Sequence, residues 1–154
     1  MECILLSEDK IHEVGRNLYI IGEYKHMVIE GKSKKTGFSL VCKNDDYKCA
    51  FITYSPQYKY GKVTELKRHR ESDEVFVLIS GKGTLLTMES ECGEYETAEL
   101  QMGISYCVPA GTWHYLAVTE ETLVFVVENT AVSAENTDVV SIEEDKAIEI
   151  LCEE

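Results

Sequence analysis

Gly103-Ile104-Ser105-Tyr106-Cys107-Val108-Pro109-Ala110-Gly111-Thr112-Trp113-His114 reads as a short strand, a Pro-x-Gly turn, and the start of a second strand that opens on a histidine. Proline stops the first strand because it has no N–H to give the ladder, and glycine two residues on permits the reversal. The histidine is therefore placed at the mouth of a hairpin. Upstream, His69 is followed by the polar turn Arg70-Glu71-Ser72-Asp73, then by Glu74-Val75-Phe76-Val77-Leu78-Ile79-Ser80 and Gly81. A second histidine and a carboxylate thus flank another strand start, and two histidines with one carboxylate form a metal-ligand set.

Outward from these two stretches the chain repeats the same pattern. Short runs rich in β-branched and aromatic residues are predicted as strands at Leu18–Ile21, Met27–Glu30, Phe38–Cys42, Lys48–Tyr54, Lys62–His69, Glu74–Ser80, Gly83–Met88, Glu94–Leu100, Ile104–Val108, Trp113–Val118 and Thr122–Glu128. Closely spaced strands without long helical periods predict an all-β fold. At the N-terminus, Ser7 is predicted to cap a short helical turn through Ile11 and Val14, ending at Gly15. Residues 129–140 read as a polar linker, and Ser141-Ile142-Glu143-Glu144 as a capping box opening a short C-terminal helix to Cys152. The 154 residues are expected to make a single domain, 1–154, with its core over about 18–128 and a tail at 129–154.

Composition bounds the partners. A formal net charge of -13 argues against nucleic acid, which demands a basic face. No apolar run approaches the roughly 20 residues of a membrane span, and the acidic start Met1-Glu2-Cys3 is unlike a secretory leader, so a cytoplasmic protein is expected. The six cysteines are scattered without a C-x-x-C pair and are expected to be reduced thiols.

Alternation along a strand decides where the side chains point. Lys67 and His69 share a face. Glu74, Phe76 and Leu78 share another, with Val75, Val77 and Ile79 opposite, and His114, Leu116 and Val118 lie across from Trp113 and Tyr115. If the faces of Glu74 and His114 are both interior, His69, Glu74 and His114 converge. The strand Val75–Ile79 is apolar on both faces, which predicts a homodimer in which a second subunit covers its outer side.

These residues resemble the cupin superfamily. Its second motif, G-x5-P-x-G-x2-H-x3-N, is carried by Gly103, Pro109, Gly111 and His114, and its first, G-x5-H-x-H-x3-4-E-x6-G, by His69, Glu74 and Gly81. The resemblance covers roughly Lys48 to Glu128 and implies a jelly-roll β-barrel. Two positions depart from the pattern: Lys67 stands where the first histidine belongs, and Val118 replaces the terminal asparagine. An ammonium repels a cation, so the implied ligand set is His69, Glu74 and His114, holding Fe, Mn, Ni or Zn. Lys67 beside them implies a small anionic ligand, with Lys67 and Glu74 as the catalytic pair.

Three functional readings stay open. The first is a metal-dependent enzyme of isomerase, lyase or dioxygenase type acting on small acids or sugars. The second is a metal-free binding or sensing module, in which Glu74 pairs with Lys67. The third is a structural cupin with a vestigial site.

Overall fold

The computed structural model of the protein describes residues 11–14, 17–20, 36–89 and 93–142. Twelve strands follow in chain order: β1 Ile11–Val14, β2 Asn17–Ile20, β3 Phe38–Lys43, β4 Tyr47–Thr53, β5 Glu65–His69, β6 Glu74–Ser80, β7 Gly83–Met88, β8 Tyr95–Glu99, β9 Ser105–Val108, β10 Trp113–Val118, β11 Leu123–Asn129 and β12 Thr137–Ser141. A single 3-10 turn at Pro56–Tyr58 is the helical content of the described residues.

The strands form a two-stranded hairpin, β1-β2, and two five-stranded antiparallel sheets, β12-β5-β10-β7-β8 and β3-β4-β11-β6-β9. The all-β expectation holds. Strand pairing leaves two separate sheets rather than one closed ring among the described residues. They pack face to face because alternation gives each an apolar inner surface: Ile52, Phe76, Leu78, Val108, Val124 and Val126 from one meet Leu85, Leu116 and Val118 from the other. All nine are buried, and nonlocal pairing of this kind draws its stability from area removed from water.

The sheet containing β10 is apolar on its outer face as well. Leu66, Leu86, Met88, Trp113 and Ala117 are buried there with Val63 and Ile142 in a second core. The strand covered on both sides is therefore β10. In β6, by contrast, Glu74, Phe76 and Leu78 are buried as expected, while Val75 and Val77 are half-buried and Ile79 is exposed.

Two local expectations are corrected. Ile11–Val14 is a strand paired in register with Asn17–Ile20, not a helical turn, because the hairpin satisfies backbone groups that an isolated turn leaves open. Residues 137–141 are not linker: Thr137 to Ser141 pair along the whole of β5 and make an edge strand. A nonlocal ion pair fastens that edge, with Asp138 Oδ2 2.7 Å from an Arg68 guanidinium nitrogen. The predicted strand at Met27–Glu30 and most of the predicted C-terminal helix fall outside the described residues.

Candidate metal centre

The site lies between the two sheets at one end, where the inner rows turn from apolar to polar. On the sheet of β6, alternation after Phe76 brings Glu74 inward. On the facing sheet, His114 follows Trp113 at the start of β10, and His69 ends β5. Two turns set their separation. Thr112 N–H donates to Pro109 O at 3.1 Å, closing a turn with Gly111 at φ +84°, the left-handed value that the third residue of a type II turn requires. Gly111 N–H in turn donates to His69 O at 2.8 Å, so the Pro-x-Gly turn directly joins the ends of β5 and β10. Ala110 N–H donates to Asp73 Oδ1 at 2.8 Å, tying in the turn before Glu74.

The three ligand-capable side chains converge. His114 Nε2 is 2.9 Å and His69 Nε2 3.2 Å from the same oxygen, Glu74 Oε2. One donor atom from each residue falls within 4.8 Å of the other two. Each ring is held from behind: His114 Nδ1 donates to Thr112 O at 3.0 Å, and His69 Nδ1 is 2.9 Å from Thr137 Oγ1. Such outer contacts fix ring orientation and leave Nε2 facing inward, the usual arrangement of ligating histidines. Phe76 packs edge-on against His114 with ring centroids 6.1 Å apart.

The electrostatics agree with this geometry. Burial alone pushes the Glu74 carboxyl up, but hydrogen bonds and charge from His114 and His69 outweigh it and hold the group down at about 2. For His114, burial opposes the charged form and is overcome by Glu74, so its pKa is raised. With Nδ1–H committed to Thr112, the hydrogen bond from Nε2 to Glu74 makes this ring an imidazolium. A dication held by the triad would take the place of that proton. Two imidazole nitrogens and a carboxylate oxygen suit a borderline divalent ion, so the residues present fit the metal.

Lys67 sits one strand over. It is directly opposite His114 in the β5–β10 register, on the same sheet face. Its side chain is 55% exposed and its ammonium is 3.6 Å from Glu65, while the ionic partners of Glu74 are the two histidines.

Three polar residues absent from the sequence reading complete the surroundings. Thr137 comes from the tail. Glu128 and Lys48, both facing inward, form an ion pair at 3.1 Å, and Glu128 Oε2 is 3.6 Å from His69 Nε2. Burial and the charge of Glu74 push the Glu128 carboxyl up, against the opposing pull of Lys48 and His69. The signal for Glu128 was available: it continues the inward series Val124, Val126, and a carboxylate at an inward strand position is rarely idle. Tyr58 borders the same end, its phenol pushed up to about 12 by burial, with Glu74 and Glu128 adding to the shift and a hydrogen bond from Gln57 opposing it.

Residues 57–128 match the Cupin domain family. Among solved structures, Streptomyces Pac13, a nucleoside dehydratase also determined with uridine, superposes at a TM-score of 0.54 with 17% identity, over 82% of this chain and 98% of its own. A Bacillus halodurans protein superposes at 0.52 with 14% identity, over 64% of this chain and 73% of that one. At these identities the likeness is one of fold. No curated protein gives a sequence match. No helix among the described residues is long and apolar enough to cross a membrane. Both histidine-bearing turns lie inside the matched segment and keep the motif spacing that their hydrogen bonds explain, so residues 57–128 of this chain are similar to a cupin domain in both sequence and fold.

Proposed function

We propose that the chain binds a divalent metal through His69, Glu74 and His114 and acts on a small anionic organic ligand held between the sheets of a jelly-roll barrel. The observation that carries this reading is the convergence of three buried or half-buried donors on one point, with both histidines oriented from behind. Three protein ligands leave coordination positions open, and a metal there supplies Lewis acidity toward an oxygen of the ligand or toward water. The chain supplies the rest. Lys67, on the rung of His114, offers a cation at the edge of the site that favours a carboxylate or an enediolate. Glu74 and Lys67 are the pair assigned to the chemistry, and Phe76 and Leu116 exclude water below it.

The test is elemental analysis and metal titration of untagged protein prepared without chelators, beside Glu74→Ala and His114→Ala. Near-stoichiometric Fe, Mn, Ni or Zn is expected in the parent. Loss of an outer contact to a ligand already costs about 10- to 100-fold in affinity, so loss of a ligand itself is expected to weaken binding by about 100-fold or more. A parent that takes up none of the four ions refutes the reading.

A second reading has its own support. The triad satisfies itself without a metal, His114 and His69 both bonding Glu74, which suits a binding module that recognises a small molecule without turnover. Ligand-induced stabilisation of metal-free protein, with uridine and small carboxylates as probes, separates the two.

The same reading includes a homodimer. The outer face of β4, β11 and β6 carries half-buried Phe51, Phe125, Val127, Val75 and Val77, with the two phenylalanine rings 5.5 Å apart. A face of this composition suits a second copy of itself. Sedimentation at micromolar concentration is expected to show a dimer that Phe125→Asp dissociates; a monomeric parent removes the proposal.

A further inference from the structure

We propose that Glu128 is a fourth ligand of the metal centre, positioned by Lys48, and that it supplies from β11 the donor that position 67 of this chain does not. The proposal rests on reading His69, Glu74 and His114 as a metal site and adds to it a residue outside both sequence motifs.

Strand register makes the first part of the case. Glu74 is directly opposite Glu128, and Glu128 directly opposite Lys48, so the three form one row on the inner face of their sheet. Two carboxylates facing each other across a buried rung repel, and each needs its own cation: Lys48 pairs with Glu128, and the imidazolium of His114 with Glu74. A dication shared by Glu74 and Glu128 would take over the charge of that imidazolium as its Nε2 proton leaves.

Geometry makes the second part. For bonds of about 2.1 Å, two donors on one ion are about 3.0 Å apart at a right angle and about 3.4 Å at the tetrahedral angle. Glu74 Oε2 to His114 Nε2 is 2.9 Å, Glu74 Oε2 to His69 Nε2 is 3.2 Å, and Glu128 Oε2 to His69 Nε2 is 3.6 Å. The first two fit a common centre; Glu128 reaches His69 but lies outside the cluster of the three, so its carboxylate has to move toward the triad to share the ion.

The division of labour within the carboxylate makes the third. Glu128 directs Oε1 to Lys48 Nζ at 3.1 Å and Oε2 toward His69. Lys48 Nζ is itself anchored, donating to Val132 O at 2.9 Å. Lys48 thus holds the distal oxygen and leaves the other for an ion, as outer partners of ligating carboxylates do. A second carboxylate also hardens the donor set, favouring Mn(II) and Fe(II) over softer ions.

The experiment is Mn(II) titration, with the visible spectrum of the Co(II)-loaded protein as a second readout, on the parent, Glu128→Gln, and the double variant Lys48→Met/Glu128→Leu. The double variant removes both charges together and leaves neither buried alone. Both variants are expected to bind Mn(II) about 10- to 100-fold more weakly than the parent, with an altered Co(II) spectrum. Parent-like affinity and spectrum in the variants overturn the role of Glu128 while leaving the triad standing. A parent that binds neither ion overturns the triad and this proposal together.

Discussion

Trp113→Ala is expected to lower the unfolding free energy by about 3–5 kcal/mol, the range for removing a large aromatic side chain from a packed interior. Trp113 is 1% exposed and sits on the outer face of β10, against Leu66, Leu86, Met88 and Val63. That second core is small, so its other members cannot close over the vacated volume. The guanidinium of Arg68, which lies 4.3 Å from the ring centroid and pairs with Asp138, loses its aromatic support in the same step. For a chain of this length the loss corresponds to about 10 °C in the melting midpoint. Urea unfolding must be followed by circular dichroism, since Trp113 is the chain's one tryptophan. Trp113→Phe sharpens the reading. Trp113 Nε1 is buried without a hydrogen-bond partner among the described residues, so phenylalanine keeps most of the burial and removes an unsatisfied donor. Its expected cost is below about 1.5 kcal/mol. A Trp113→Ala loss under 1 kcal/mol would show that the second core is not closed in solution.

The contrast between β10 and β12 shows what made parts of this fold legible. The bounds of β6, β7 and β10 coincide with their sequence-based expectations because each is a short run rich in apolar and β-branched or aromatic side chains set between strong turn signals, Gly81 and Pro109-Ala110-Gly111 among them. Thr137–Ser141 is weaker on both counts. As an edge strand it exposes Val139, and what fastens it is an ion pair to Arg68, 70 residues away. The candidate site divides along the same line. His69, Glu74 and His114 were legible because each sits at a fixed distance from a turn whose chemistry is local. Glu128 was half legible, since alternation from Val124 and Val126 turns it inward, but its place beside His69, like those of Thr137 and Lys48, comes only through register across the sheets, which no spacing along the chain encodes. Lys67 falls between: its rung beside His114 follows from strand pairing, whereas its contact with Glu65 reflects a long side chain reaching outward.

Gly81→Ala is the other substitution expected to damage the fold severely, by about 2–5 kcal/mol. Two costs combine. Gly81 turns the chain from β6 into β7 at φ +79°, where an L-residue is strained by about 1–2 kcal/mol. A Cβ built there falls 2.5 Å from Thr122 Cα and 2.7 Å from Thr122 N, and backbone cannot swing aside as a side chain can. Overpacking of that sort adds about 1–3 kcal/mol. Thr122 has little freedom to yield. Its hydroxyl accepts from Lys82 N and Thr119 N, each at 3.1 Å, and donates to Lys82 O at 2.6 Å, locking the β6–β7 and β10–β11 turns together. Gly111→Ala provides the control. It has the same sign of φ, at +84°, but a Cβ there meets nothing within 4 Å, so only the conformational strain of about 1–2 kcal/mol is expected. Chemical unfolding of the two variants side by side separates the terms: equal losses would mean that the turn at Thr122 yields freely, and a larger loss at Gly81 means that glycine is needed after β6 for close approach as well as for its φ.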